Sequence, residues 1–257
     1  MDTKIYIDAG HGGYDNGATY NGRKEKDDNL RLALAVGNSL RQKGIDTDFT
    51  RERDVYQSPS EKAQMANEGD ADLFISFHRS SSPVPNTNDG VEAYVYDTGG
   101  INEELAKNIN ANLEKIGFKN NGVRVNKNLT ILKKTNMPAV LLDIGYVNAD
   151  KDNREFDAKF DQIVNAISDA IIGIVDQESE QKEENTPEYA IQVGLFKNQA
   201  NAAALIEDLQ TSGYDAMLEP MGGYYAVLIG NYPSIAAAEK EEEQIQNMGY
   251  ETIIIER

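Results

Sequence analysis

The chain has 257 residues, a formal net charge of −18 and no cysteine. The acidic balance argues against a nucleic-acid binder, which gains affinity by neutralising phosphates, and against direct binding to or insertion into a membrane; the last third offers only Lys182, Lys197, Lys240 and Arg257 as bases. Without thiols there are no disulfides, thiolate metal sites or cysteine nucleophiles, so any metal must be held by nitrogen and oxygen ligands.

A chain of this length accommodates one domain with a substantial core and a second, smaller one. Its beginning, MDTKIYID, has no basic segment followed by a long apolar one, and the longest apolar run, near AIIGIV, is far short of the ~20 residues that span a bilayer. The expectation is synthesis in the cytoplasm without an ordinary secretion signal.

The first apolar run, KIYID, reads as a strand and gives way to AGHGG, where glycines let the chain turn tightly and present His11. GRKEKDDNLRLAL then opens a helix: Leu32, Val36 and Leu40 form one apolar stripe ending before Gly44, and Glu25 stands just ahead of it. After the strand TDFT come Arg51 and Arg53, read as partners of nearby acids. A third strand, DLFISF, delivers His78 to a loop much as the first delivers His11.

These are the only histidines in the chain. Imidazole is the commonest protein metal ligand, and two imidazoles from separate strand ends make a partial metal site that lacks a third ligand. Glu25 is the leading candidate for that place. On pattern alone two readings stay open, since a strand-end histidine is often a hydrogen-bonded structural residue and an acid near a helix start is favoured by the macrodipole.

Further along, VEAYVY and AVLLDI read as strands, with Glu92 expected to face outwards. Between them Leu105, Ile109, Leu113 and Ile116 recur at helical spacing, and Gly117 suits the stop. Short strands alternating with helices predict an α/β domain, a sheet flanked by helices, over residues 1–175. Residues 176–187, DQESEQKEENTP, hold no large apolar side chain and read as a flexible acidic linker.

Residues 188–257 contain an internal repeat: YAIQVGLF, a helical stretch and DAMLEP, then YYAVLIGNY, a second helical stretch and ETIIIE. The βαββαβ pattern predicts a small ferredoxin-like α+β domain, each helix closing on a Gly-Tyr pair. Strand alternation must leave some of Gln192, Phe196, Tyr224 and Tyr225 facing outwards, where rings and amides suit sugars.

The ordered stretches DAGHGGYDNGA, KEKDDNLRLA, FTRERD, ISFHRSS and MPAVLLDIGYVN resemble zinc-dependent N-acetylmuramoyl-L-alanine amidases, the amidase-3 family of cell-wall hydrolases, and the repeat resembles a SPOR domain. By position the resemblance implies Zn2+ held by His11, Glu25 and His78, and cleavage of the amide between N-acetylmuramic acid and L-alanine of peptidoglycan. It also implies glycan strands as the partner of the second domain. No HExxH helix points to another metallopeptidase class.

The chain departs from that family where a glutamate is usual, placing Asp143 in PAVLLDIGY. Two readings follow: Asp143 is the catalytic base despite its shorter reach, or the chain is a weakened or silent peptidoglycan-binding protein. Lys62 stands where the family usually has arginine and Ser80 where it often has asparagine; these are read as altered supports of the site or as neutral changes at a helix surface and a loop. The combination resembles sporulation enzymes that lyse a mother cell, with a phage lysin as the other setting, so action on the wall is expected after lysis or release.

Overall fold

A computed structural model describes residues 3–184 and 188–257, which divide into two compact units, residues 1–178 and 179–257. In the first, the elements run β1 (Lys4–Ala9), β2 (Thr19–Tyr20), β3 (Arg23–Lys24), α1 (Glu25–Gln42), β4 (Asp46–Phe49), α2 (Pro59–Glu68), β5 (Leu73–Ser80), β6 (Val91–Val95), α3 (Ile101–Lys115), β7 (Asn120–Val125), α4 (Thr130–Lys134), β8 (Ala139–Tyr146), α5 (Asp150–Ala158) and α6 (Phe160–Glu184). Six of the strands form one sheet in the order β4-β1-β5-β8-β6-β7, parallel except for the antiparallel step between β8 and β6. All the strands expected from sequence are there; β7 is an addition.

Strand alternation divides the side chains between two layers. Ile5, Ile7, Ile75, Phe77, Leu142 and Ile144 face the stripes of α1, α3 and α6, including Leu32, Val36, Leu105, Ile109, Ile163 and Ile167, in the main core. The opposite face carries Tyr6, Phe74 and Leu141 against Ala63 and Ala66 of α2 and Ile131 and Leu132 of α4. This second cover is short. Beyond it, where β1 and β5 end, the α2 side of the sheet bears Asp8, His78 and Asp143.

The structure differs from the sequence reading over the linker, because α6 continues through Asp176 to Glu184. Glutamate, glutamine and lysine have high helix propensity, so a segment with nothing to bury extends a helix that the preceding apolar stripe has nucleated. Residues 185–187 of the expected linker lie outside the described residues.

The second unit follows the predicted order: β9 (Tyr189–Phe196), α7 (Gln199–Thr211), β10 (Ala216–Met221), β11 (Tyr224–Tyr232), α8 (Ile235–Asn247) and β12 (Ile253–Glu256). Its antiparallel sheet has the order β10-β11-β9-β12, the ferredoxin-like arrangement. Ile191, Val193, Val227 and Ile229 pack against Leu209 and Ile245 of the two helices, joined by Phe196 and Tyr225. The other face holds Ala190, Ala226 and Leu228, with Tyr224, Leu195, Met217 and Ile253 exposed around them.

Candidate metal centre

His11, Glu25 and His78 come together from three elements, with one ligand atom of each within 4.8 Å of the others. His11 follows β1 at a left-handed φ of 60°, His78 lies near the end of β5, and Glu25 is the first residue of α1. Glu25 Oε1 is 3.2 Å from His11 Nε2 and 2.9 Å from His78 Nδ1. Ligand atoms ~2.0 Å from a tetrahedral metal lie about 3.3 Å apart, so these separations fit a zinc-sized ion. Two imidazoles and a carboxylate are also a chemically suitable donor set.

The close approach of the three side chains depends on glycine. A Cβ on Gly10 would sit 2.3 Å from the His78 ring, and one on Gly17 would sit 2.5 Å from Glu25 Oε2 and 2.6 Å from the His11 ring, with Gly17 at a φ of +62° besides. Any side chain at either position would push a ligand out of place.

His11 and Glu25 are fixed from behind. His11 Nδ1 pairs with Asp15 Oδ2 at 2.8 Å, which leaves Nε2 to face Glu25. Glu25, 4% exposed, accepts from the Ala18 amide at Oε2 (2.9 Å) and from the Arg79 amide at Oε1 (3.1 Å), and its place at the helix start favours a negative charge. Buried Arg51 donates to the carbonyls of Ala9 (3.0 Å), Gly10 (3.0 Å) and Lys26 (2.8 Å), tying the His11 loop to α1. It therefore pairs with backbone carbonyls, not with the acids expected from sequence.

Lys62 is not on a helix surface. It is buried under the same loop, donating to Asp8 Oδ1 at 2.7 Å and to the Ala9 carbonyl at 2.5 Å, while Asp8 also accepts from Thr50 (2.7 Å) and Ser76 (2.6 Å). A basic side chain at 62 thus holds the backbone that presents His11. Asp15, Asp8 and Arg79 were not singled out in the sequence; Asp15, four residues after His11, is the one whose spacing carried a signal.

Charge follows from these contacts. Burial opposes a charge on His11, but hydrogen bonds and charges from Glu25 and Asp15 outweigh it and raise the imidazole to about 9. For Glu25 burial likewise favours the neutral form, and the two imidazoles reverse this, holding the carboxyl well below the usual range. His11 thus pairs with both Asp15 and Glu25, and Glu25 with both imidazoles.

Asp143 lies on β8 directly across from His78 on β5, on the same face of the sheet. Burial raises its carboxyl to about 6, with the nearby Glu25 and Glu92 adding to the rise and His78 and a hydrogen bond from Ser80 opposing it. A cavity of about 300 Å³ opens beside the histidines, lined by the polar Asp15, Gln57 and Lys62 and the apolar Leu129, Ile131 and Leu141.

Glu92, expected to face outwards, is 5% exposed and points to the same face as Asp143. Its burial is compensated by an ion pair with Arg124 of β7 at 2.5 Å and by the Tyr94 hydroxyl, which donates to it.

Residues 5–173 match the family described as N-acetylmuramoyl-L-alanine amidase, and residues 185–256 match the SPOR domain. The chain belongs to the N-acetylmuramoyl-L-alanine amidase family. Among its relatives, the sporulation-specific N-acetylmuramoyl-L-alanine amidase of Bacillus subtilis is 30% identical over 220 residues, 84% of each chain. The endolysin of Bacillus phage SPP1 is 35% identical over 151 residues, 56% of this chain and 54% of the endolysin. Among solved structures, the N-acetylmuramoyl-L-alanine amidase of Clostridium difficile 630 superimposes with a TM-score of 0.65 at 29% identity, covering 69% of this chain and 98% of that one. The His11–Glu25–His78 cluster lies within the part of the chain that carries the amidase match, and the silent alternative is not favoured.

Proposed function

We propose that this peptidoglycan amidase is zinc-dependent, with His11, Glu25 and His78 as ligands and Asp143 as the general base, cleaving the bond between N-acetylmuramic acid and L-alanine. The observation that carries the reading is the convergence of the three ligand atoms within 4.8 Å, with His11 braced by Asp15 and Glu25 by the Ala18 amide. Zinc in such a site supplies Lewis acidity, polarising a carbonyl and making water acidic near pH ~7.

The chain's own side chains do the rest. The cavity beside the histidines receives the muramoyl-peptide junction, its apolar wall excluding water. Asp143, ionised above about pH 6 and steadied by Ser80, takes the proton from the attacking water and returns one to the departing alanine nitrogen. Asp15 keeps the Nδ1 proton of His11 in place, so that Nε2 stays the free electron pair.

The SPOR domain is assigned to glycan strands, through the sheet face that bears Gln192 and Tyr224; Phe196 and Tyr225 serve the helix-side core. With the two units on one chain, binding raises the local concentration of the catalytic unit at the wall. Synthesis inside the cell and action on the wall after lysis or release is the setting proposed for it.

The test is release of N-terminal alanine from purified peptidoglycan by the full chain, before and after chelation and after return of zinc. Activity that is lost with the metal and regained with zinc is expected. Unchanged release after complete chelation overturns the zinc assignment, and release of other amino termini overturns the bond assignment.

A further inference from the structure

Two tyrosines, each one residue before a residue that lines the cavity, have no role in the centre described above. Tyr14 follows the glycine pair after His11, and Tyr56 precedes α2; their rings stack with centroids 4.3 Å apart and planes 28° from parallel. Tyr14 is 79% exposed and Tyr56 40%. One face of Tyr14 is against Tyr56, so its exposure lies on the other face. The next residues in sequence, Asp15 and Gln57, line the cavity beside His11 and His78.

The pair is built in, because the loops that carry it are clamped together. Buried Lys26 donates to the Gly13 carbonyl and to Asp54 Oδ2, each at 2.7 Å, and Asp54 Oδ1 accepts from the Gly13 amide at 2.7 Å. A Cβ at Gly13 would lie 2.7 Å from the Tyr56 backbone nitrogen, so the two backbones are in contact there. The stack with Tyr56 and the clamped loops hold the Tyr14 ring in place with its other face open, a rigid apolar surface on which a ligand ring can stack.

Resting on the amidase reading, we infer that Tyr14 and Tyr56 form a stacking platform for a pyranose ring of the glycan strand, next to the muramate whose amide is cut. A pyranose presents a face of C–H bonds to an aromatic ring and hydroxyls at its edge to water and to the phenolic oxygens, which suits a rigid tyrosine with one open face. The platform fixes the strand outside the cavity and so sets which muramate enters it. Its function is specificity for polymeric over monomeric substrate.

Two measurements decide this. In the first, the full chain carrying Asp143→Ala, with ring-labelled tyrosines assigned by single Tyr14→Ala and Tyr56→Ala replacements, is titrated with an N-acetylglucosamine tetramer by NMR. The Tyr14 and Tyr56 rings are expected to shift, and the Tyr14 shift to vanish in Tyr56→Ala; saturating tetramer that moves only tyrosines of residues 188–257 overturns the inference. This arm needs no activity, so it stands apart from failure of the amidase reading.

In the second, Tyr14→Ala is expected to raise KM for polymeric peptidoglycan about tenfold, the scale of one lost ring contact, with kcat and zinc content kept. KM for a soluble monomeric muramoyl peptide stays at the parent value, and Tyr14→Trp restores the polymer KM. An equal rise on both substrates assigns the platform to the stem peptide and overturns the inference, as does no rise on either.

Discussion

Glu92 stands directly across from Asp143 in the antiparallel pairing of β6 with β8, so two carboxylates occupy one face of the sheet beside the histidine cluster. Their surroundings separate them. Glu92 is paired with Arg124 and Tyr94, while Asp143 is pushed up to about 6 by burial and by the charges of Glu25 and Glu92. Replacing Asp143 by asparagine or alanine is expected to lower kcat on peptidoglycan by about a hundredfold or more, the usual contribution of a general base, with zinc content unchanged. If both variants match the parent, Asp143 is not the base.

Glu92→Gln tests the coupling between the pair. The charge of Glu92 raises Asp143, so its removal lowers the Asp143 pKa from about 6 and moves the acid limb of the pH–rate profile to lower pH. Activity at neutral pH stays near the parent. A loss as deep as that of Asp143→Ala would make Glu92 a proton-transfer group in its own right.

The burial of Glu92 also shows what was legible in the sequence. The strands β1, β5 and β8 stand out as apolar runs ending in chemistry, and the helix stripes give the main core. β7 does not, because Asn120–Val125 is an edge strand, NNGVRV, with half-buried and exposed positions and no clean alternation. Once β7 is missed, Arg124 has no place, and Glu92 looks like a solvated residue of a surface strand. Lys62 and Arg51 were hidden for a related reason: each is a cation whose partners are backbone carbonyls or an acid far away in sequence. The helical extension to Glu184 into the expected linker has another origin, since Glu, Gln and Lys both resist burial and favour helix.

On the proposed zinc assignment, metal binding is expected to depend on pH. His11 is held protonated up to about 9 by Glu25 and Asp15 in the absence of metal, and a ligating imidazole nitrogen must be free of its proton. Zinc therefore displaces about one proton from His11 at neutral pH, and its apparent affinity rises with pH until about 9. Calorimetry in buffers of different ionisation enthalpy measures this directly; binding with no proton release at pH 7 contradicts the assignment of His11. Saturating zinc also raises the unfolding free energy, by about 2.7 kcal/mol at a hundred times Kd.

Beneath the site, the Asp8–Lys62 pair carries a stability signature distinct from catalysis. Burial alone would raise Asp8, but the Lys62 charge and the hydrogen bonds from Lys62, Ser76 and Thr50 outweigh it and hold the carboxyl below 3.8. A carboxyl depressed in the folded state stabilises above its unfolded pKa, and that contribution is lost as pH falls through the folded value. Acid unfolding monitored below about pH 4 should thus lose this component in Asp8→Asn. At neutral pH Lys62→Met leaves Asp8 as an unpaired buried charge and is expected to cost about 3–5 kcal/mol in denaturant unfolding. Lys62→Arg keeps the charge and a donor for the Ala9 carbonyl, and should retain most of the stability. If Lys62→Met unfolds at the same denaturant concentration as the parent, the pair does not anchor the His11 loop.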